Sequence, residues 1–136
     1  MSQIVGTYEF RAALVYVALL ILGAVVLGIG VVRQRARAKV MIGDGGDAVL
    51  QQWIRAHGNY CEYAPFGIAA LILLPLVGAS AWIVHLVGLC LVLGRTAHAQ
   101  GLTTTSGESL GRKVGTTLTG VGLVVGALAL LWHAFT

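Results

Sequence analysis

Four polar side chains are spaced along one stretch of the chain so that they would share a single helix face. Arg55, Asn59, Glu62 and Tyr63 fall at positions i, i+4, i+7 and i+8. On a helix with about 3.6 residues per turn, these positions form one stripe. Because an apolar run, GIAALILLPLVG, follows directly, the two charged groups need polar partners on other helices or on a bound ligand.

The stripe has a structural and a functional interpretation. An ionisable group at the centre of a bilayer costs about 2.5 to 3.5 kcal/mol on insertion scales. In the structural interpretation, Arg55 extends to the membrane interface and Glu62 forms an ion pair with Arg95. In the functional interpretation, the same residues bind a charged ligand, and the residues alone leave both open.

The composition is that of a membrane protein. Of the 136 residues, 57% are hydrophobic and only 10% are charged, and the mean hydropathy is +0.87. The net charge is +4, but the basic residues lie between apolar runs and indicate topology, so no nucleic-acid partner is predicted. Cys61 and Cys90 lie in apolar stretches without metal-ligand spacing, so we expect buried free thiols and no metal site.

Four apolar stretches are long enough, or nearly so, to cross a bilayer, which takes roughly 20 residues. We therefore predict an all-α integral membrane four-helix bundle that forms a single domain over residues 1–136. The first stretch lacks a basic leader and is too long for a signal-peptide core, so it should remain as a spanning helix. Asp47 could cap the second helix. The predicted spans are residues 10–32, 49–76, 79–99 and 114–135.

The distribution of basic residues predicts the orientation. The N-terminal segment contains Arg11 and the C-terminal segment has no Lys or Arg. Short loops rich in Lys and Arg stay in the cytoplasm, so both termini are expected on the non-cytoplasmic side. The loops after the first and third spans carry six basic residues: Arg33, Arg35, Arg37, Lys39, Arg112 and Lys113.

The stripe, followed by Pro65 at the start of a second span, resembles the motif of the membrane-associated proteins in eicosanoid and glutathione metabolism, the MAPEG superfamily. The resemblance extends to chain length, four spans and a charged first loop, so it covers essentially the whole chain. The segments IGDGGDAVLQQWIRAHGNYCEYAPF and GRTAHAQGL are more similar to the small bacterial members. A bacterial inner-membrane protein is therefore expected.

The resemblance implies a homotrimer that binds glutathione at its subunit interfaces, in a site open to the cytoplasmic leaflet. It further implies a glutathione S-transferase or peroxidase that uses glutathione as co-substrate and acts on small lipophilic electrophiles from the lipid. The alternative is a non-catalytic binding or structural membrane protein of the same fold.

The family motif assigns roles to particular residues. Arg55 would hold a glutathione carboxylate, Asn59 and Glu62 would bind polar groups including the amino end, and Tyr63 would add a hydrogen bond or a stacking surface. Arg33 would reach the ligand across the subunit boundary, and His57 is a further possible ligand contact.

Activation of the thiol is expected from the third helix. Related enzymes place an arginine near its cytoplasmic end, and here Arg95 is the candidate for stabilising the thiolate, with His98 as a further ligand contact. The helix contains no tyrosine, and Gln100 stands in the region where the leukotriene-forming synthase has another arginine, which keeps the non-catalytic alternative open. His85, deep in the same helix, is expected to be a hydrogen-bonded core residue.

Overall fold

The described part of the chain folds into four helices. The computed structural model describes residues 6–136. We name the helices α1 (Tyr8–Ala38), α2 (Ala48–Leu76), α3 (Ala81–Thr104) and α4 (Leu110–Phe135). Each of them is long and apolar enough to cross a membrane. The prediction of an all-α four-helix membrane bundle is therefore confirmed.

Three of the helices extend beyond the predicted spans. The C-terminal end of α1 is Ala38 instead of residue 32, α3 ends at Thr104 instead of residue 99, and α4 begins at Leu110 instead of residue 114. Hydropathy detects only the part of a helix that lies in lipid, whereas the backbone continues into water until a capping residue ends it. Lys39, with φ 56°, is that residue for α1.

Asp47 caps the first turn of α2, as predicted. Its Oδ1 accepts hydrogen bonds from the Leu50 backbone N–H at 2.8 Å and from Arg37 Nη2 at 2.6 Å. These contacts hold the pKa of the Asp47 carboxyl below its ordinary value, chiefly through the Leu50 N–H and then through Arg37. The basic end of α1 is thereby fastened to the start of α2.

The core lies where the four helices meet. Helix α1 packs against α2 and α3, and α4 packs against α2 and α3. Apolar side chains also cover much of the outer surface, as a lipid-facing bundle requires. Cys90 is buried as expected, but Cys61 is exposed because it lies on an outward-facing part of α2. The largest fully buried apolar side chains are Leu20, Leu50, Leu71, Leu74, Leu91, Val84 and Val87.

Helices α3 and α4 approach each other closely beside Arg95 and His98. A β-carbon on Gly115 would lie 2.5 Å from the His98 backbone nitrogen, and one on Gly94 would lie 2.8 Å from the Thr119 backbone nitrogen. Real β-carbons essentially never approach so closely, so only glycine fits at either position. The close approach brings polar groups of α4 next to the functional candidates on α3.

A second polar cluster lies at the opposite end of α3. The hydroxyl of Tyr8 is 2.9 Å from His85 Nε2, and the hydroxyl of Tyr16 is 2.8 Å from His85 Nδ1. Both ring nitrogens are therefore hydrogen-bonded, as expected, but His85 is half-buried in the first turns of α3 and is not a core residue deep in the helix. The cluster fastens the first turns of α1 to the first turns of α3.

Candidate ligand-binding site

Arg95 joins α3 to the polar stripe of α2. Its side chain is only 2% exposed. Nη2 donates to Asn59 Oδ1 at 3.0 Å, and Nη1 donates to the Asn59 backbone carbonyl at 3.4 Å. The guanidinium also lies over the rings of Tyr63 and Tyr60, with Cζ 5.1 and 5.9 Å from their centroids. Three residues of α2 thus surround one buried cation.

One donor of this guanidinium has no partner. Within residues 6–136, Arg95 Nε is the one buried side-chain nitrogen or oxygen atom, in a side chain that is not exposed, without a hydrogen bond. An unsatisfied buried polar group costs about 1 to 3 kcal/mol, and more when it is charged. Arg95 Nε is therefore a donor that an acceptor atom of a ligand could satisfy.

Glu62 does not pair with Arg95. Its Oε2 lies 3.5 Å from Asn59 Nδ2, a long hydrogen bond, and the carboxylate is exposed. In the part of the chain that the structure describes, ion pairs join Arg37 to Asp47 and Lys113 to Glu108. The ion pair that the structural interpretation requires is thus absent from residues 6–136, and the Glu62 carboxylate is available to an ammonium group.

Two neighbouring cavities share lining residues, and the smaller one is lined by the buried arginine. A crevice of about 130 Å³ is lined by Tyr63, Arg95 and Thr119. A wider cavity of about 370 Å³ lies beside it and is lined by Arg55 and Arg112. Asn59 and His98 line both cavities. The structure therefore brings five of the predicted site residues together: Arg55, Asn59, Tyr63, Arg95 and His98.

The wider cavity is electropositive. Arg112 Nη1 donates to the Gly107 carbonyl at 2.6 Å, which fixes the guanidinium at the cavity wall. The Arg55 side chain is exposed and makes no hydrogen bond or ion pair with any residue of the described chain. Two guanidinium groups on the wall of one cavity suit a ligand with two carboxylates.

Some lining residues were missed by the sequence analysis. Gln51 and Gln52 line the wider cavity one turn before Arg55, and they extend the α2 stripe at helical spacing. Helix α4 contributes a polar stripe at i, i+4 and i+7 that was readable from the sequence in the same way. Its members are Arg112, Thr116 and Thr119.

His98 is held by α4. Its Nδ1 lies 3.2 Å from the Arg112 backbone carbonyl and 3.0 Å from Thr116 Oγ1. The Thr116 hydroxyl also lies 2.8 Å from the same carbonyl and donates to it. The imidazole is thus fixed between α3 and α4 at the junction of the two cavities.

Three predicted residues line neither cavity: Glu62, which is exposed, and two residues that lie elsewhere in the structure. Arg33 is exposed near the end of α1. His57 faces α1, with Nε2 3.5 Å from Cys61 Sγ and 3.5 Å from where a β-carbon on Gly28 would lie. Neither lines the two cavities within one chain, so their ligand contacts stay predictions.

Comparison with known proteins agrees with this architecture. A sequence model of the MAPEG family matches residues 13–132. The chain is also similar to inner membrane protein YecN of Escherichia coli strain K12 and to its counterpart in E. coli O6:H1. Each is 38% identical over 103 residues, which cover 76% of this chain and 77% of the relative. The chain is an integral membrane protein and belongs to the MAPEG family.

Proposed function

We propose that the protein is a glutathione-binding membrane enzyme, a glutathione S-transferase or peroxidase that acts on small lipophilic electrophiles. The observation that carries this proposal is the unpartnered Nε of Arg95, a buried donor on a residue that lines a crevice next to an electropositive cavity. Family membership supports the proposal. The residues of the site can be matched in turn to the carboxylates, the ammonium group and the thiol of glutathione.

The charges of glutathione match those of the site. Its two carboxylates would pair with Arg55 and Arg112 on the wall of the wider cavity. Its ammonium group would pair with the exposed carboxylate of Glu62, next to Asn59. The cavity volume of about 370 Å³ lies within the range of small-molecule sites. The thiol then enters the narrower crevice beside Arg95.

Arg95 would stabilise the thiolate. A thiolate attacks electrophiles and a thiol does not, so a transferase must favour loss of the thiol proton. A buried guanidinium placed where negative charge develops acts strongly because little water screens it. The Nη atoms of Arg95 donate to Asn59, and the unpartnered, buried Nε would turn toward the sulfur when glutathione binds. Tyr63 completes the wall of the crevice.

The proposed assembly is a homotrimer in the inner membrane, with both termini on the non-cytoplasmic side. In this arrangement Arg33 and His57 would serve the site of a neighbouring subunit, since they lie away from the cavities of their own chain. The exposed apolar surface of α1 is available to lipid and to a second copy. The lipophilic substrate would enter from the bilayer.

A non-catalytic binding protein of the same fold is the second candidate. It is favoured by the two hydrogen bonds that hold Arg95 on Asn59 and by the burial of that arginine. A guanidinium held in this way could serve packing and ligand binding without activating a thiol. The two candidates differ in turnover and agree on glutathione binding.

Calorimetric titration of the purified protein with glutathione tests the shared prediction. We expect Arg55→Ala and Glu62→Ala each to weaken binding by more than about tenfold, because each removes a charged partner of the ligand. Arg11→Ala is the matched control, since Arg11 lies at the opposite end of the bundle beside His85. Unchanged affinity in both site variants would contradict the assignment of the site.

A conjugation assay separates the two candidates. Glutathione and a dinitro-substituted aryl chloride are supplied to the wild-type protein and to Arg95→Ala. Turnover that depends on Arg95 supports the enzyme. Glutathione binding without turnover supports the binding protein instead.

A further inference from the structure

The hydrogen bonds of His98 define which ring nitrogen carries the proton. The Arg112 carbonyl, 3.2 Å from Nδ1, can only accept a hydrogen bond. A neutral imidazole has one N–H group and one lone pair. Nδ1 is therefore the N–H donor, and its hydrogen is shared between the carbonyl and the nearby Thr116 oxygen. The lone pair of the neutral ring lies on Nε2.

This lone pair is free and reachable. Within residues 6–136, Nε2 of His98 makes no hydrogen bond and is not among the buried atoms that lack a partner, so it keeps accessible surface. His98 lines both the crevice and the wider cavity. It follows Arg95 by three residues on α3, so both side chains lie on the same face of that helix.

We propose that His98 is the general base that removes the thiol proton, an inference that rests on the proposed glutathione-dependent function. Nε2 takes the proton as the S–H bond breaks, and Arg95 stabilises the resulting thiolate. With an aryl chloride, a sulfur lone pair forms the new C–S bond. The C–Cl bond then breaks, chloride leaves with the bonding electron pair, and the imidazolium returns its proton to water.

Helix α4 positions the base. The Arg112 carbonyl and Thr116 fix the ring through Nδ1, as outer partners fix a metal-bound or catalytic histidine. The close approach at Gly115 makes these contacts possible. The base is thus oriented by the backbone of a different helix from the one that carries it.

The pH dependence of turnover should identify His98. The charged and titratable groups around it are guanidinium, ammonium, phenol and carboxylate groups, and imidazole is the one type that ordinarily changes charge between about pH 5 and 8. A loss of rate on the acid side within this range reports either the imidazole or the thiol of bound glutathione, and its disappearance in His98→Gln assigns it to the imidazole. The surrounding groups are Arg55 and Tyr63 of α2, Arg95 of α3, Glu108 just before α4, and Arg112 and Lys113 of α4.

The experiment measures kcat/KM for the aryl chloride against pH in the wild-type protein, His98→Gln and His98→Ala. We expect His98→Gln to lower kcat/KM by about 100-fold and to abolish the loss of rate at acid pH. Glutathione affinity, measured by calorimetry, should change less than about twofold, because the carboxylate partners remain. Added imidazole should restore turnover in His98→Ala. His133→Gln, the same change at the far end of α4, is the control.

Four results would overturn the inference. If His98→Gln still loses rate at acid pH, or if imidazole does not restore turnover in His98→Ala, then His98 is not the general base. Either result leaves the proposed glutathione site in place. A wild-type protein that binds glutathione without turnover rejects the base together with the transferase. A wild-type protein that does not bind glutathione rejects the proposed function itself.

Discussion

Two polar clusters on α3 differ in how completely their hydrogen bonds are satisfied. At the start of the helix, Tyr8 and Tyr16 occupy both ring nitrogens of His85. Ten residues on, Arg95 keeps one buried donor without a partner. Each cluster joins α3 to another helix and lines a cavity, but among the described residues only the second holds a buried side-chain donor without a partner.

This difference separates a structural role from a functional one. A satisfied hydrogen bond contributes about 0.5 to 1.5 kcal/mol to stability, whereas a buried unsatisfied group costs about 1 to 3 kcal/mol. When a protein leaves a buried polar group without a hydrogen-bond partner, the exception most often lies at a functional site. We therefore assign helix attachment to the His85 cluster and ligand binding to the Arg95 cluster.

The largest expected effect is the loss of turnover in Arg95→Met, a substitution that removes the cation and keeps most of the side-chain volume. Turnover with the aryl chloride should fall by at least about 100-fold, the usual scale for loss of one preorganised charge-stabilising donor. The thermal midpoint in detergent should change little, because removal of the desolvation cost of the buried guanidinium offsets the two hydrogen bonds lost to Asn59. A large loss of stability would show instead that Arg95 is structural.

The second prediction concerns the satisfied cluster. His85→Phe should lower the free energy of unfolding in detergent by about 1 to 3 kcal/mol, since two hydrogen bonds are lost. Turnover of the folded fraction should remain within about twofold of wild type. Trp82→Phe, an exposed change at the same end, is the control for stability. A loss of turnover in His85→Phe without a loss of stability would contradict the structural role assigned to the His85 cluster.

The smallest effect is expected at Asp47. Its carboxylate has hydrogen-bond partners, and the residue lies outside the lipid-spanning segments. Its pKa is lowered in the folded protein, so its contribution to stability is present above the unfolded pKa and is lost as the pH falls through the folded pKa. Hydrogen exchange in the first turn of α2, expressed relative to the intrinsic exchange rate at each pH, should therefore rise below about pH 4.

Two variants test this assignment. In Asp47→Ala the same amides should exchange faster at neutral pH, because the cap is absent. In Asp47→Asn the capping oxygen remains but the charge does not, so the acid-dependent rise should disappear. A pH response that persists in Asp47→Asn would assign the effect to another group.

Much of the fold followed from local patterns. Apolar length predicted four helices, and helical spacing placed Arg55, Asn59 and Tyr63 on one face, where they line the cavities. The predicted spans ended too early in α1 and α3 and began too late in α4. The reason is that capping outside the lipid leaves no hydropathy signal.

The contacts between helices were harder to predict. The sequence offered Glu62 as the partner of Arg95 because opposite charges attract, but the structure pairs Arg95 with Asn59. Such a choice depends on the depth and rotation of two helices, which are set by close contacts such as that at Gly115. Neither depth nor rotation can be read from one helix alone.

A structure of the protein in lipid nanodiscs with saturating glutathione tests the central claim most directly. The distance between the glutathione sulfur and Arg95 Nε is the measurement. We predict that the sulfur lies in the crevice within hydrogen-bond distance of Nε, with the carboxylates at Arg55 and Arg112. Glutathione bound elsewhere, or bound with Arg95 Nε still unpartnered, would contradict the account.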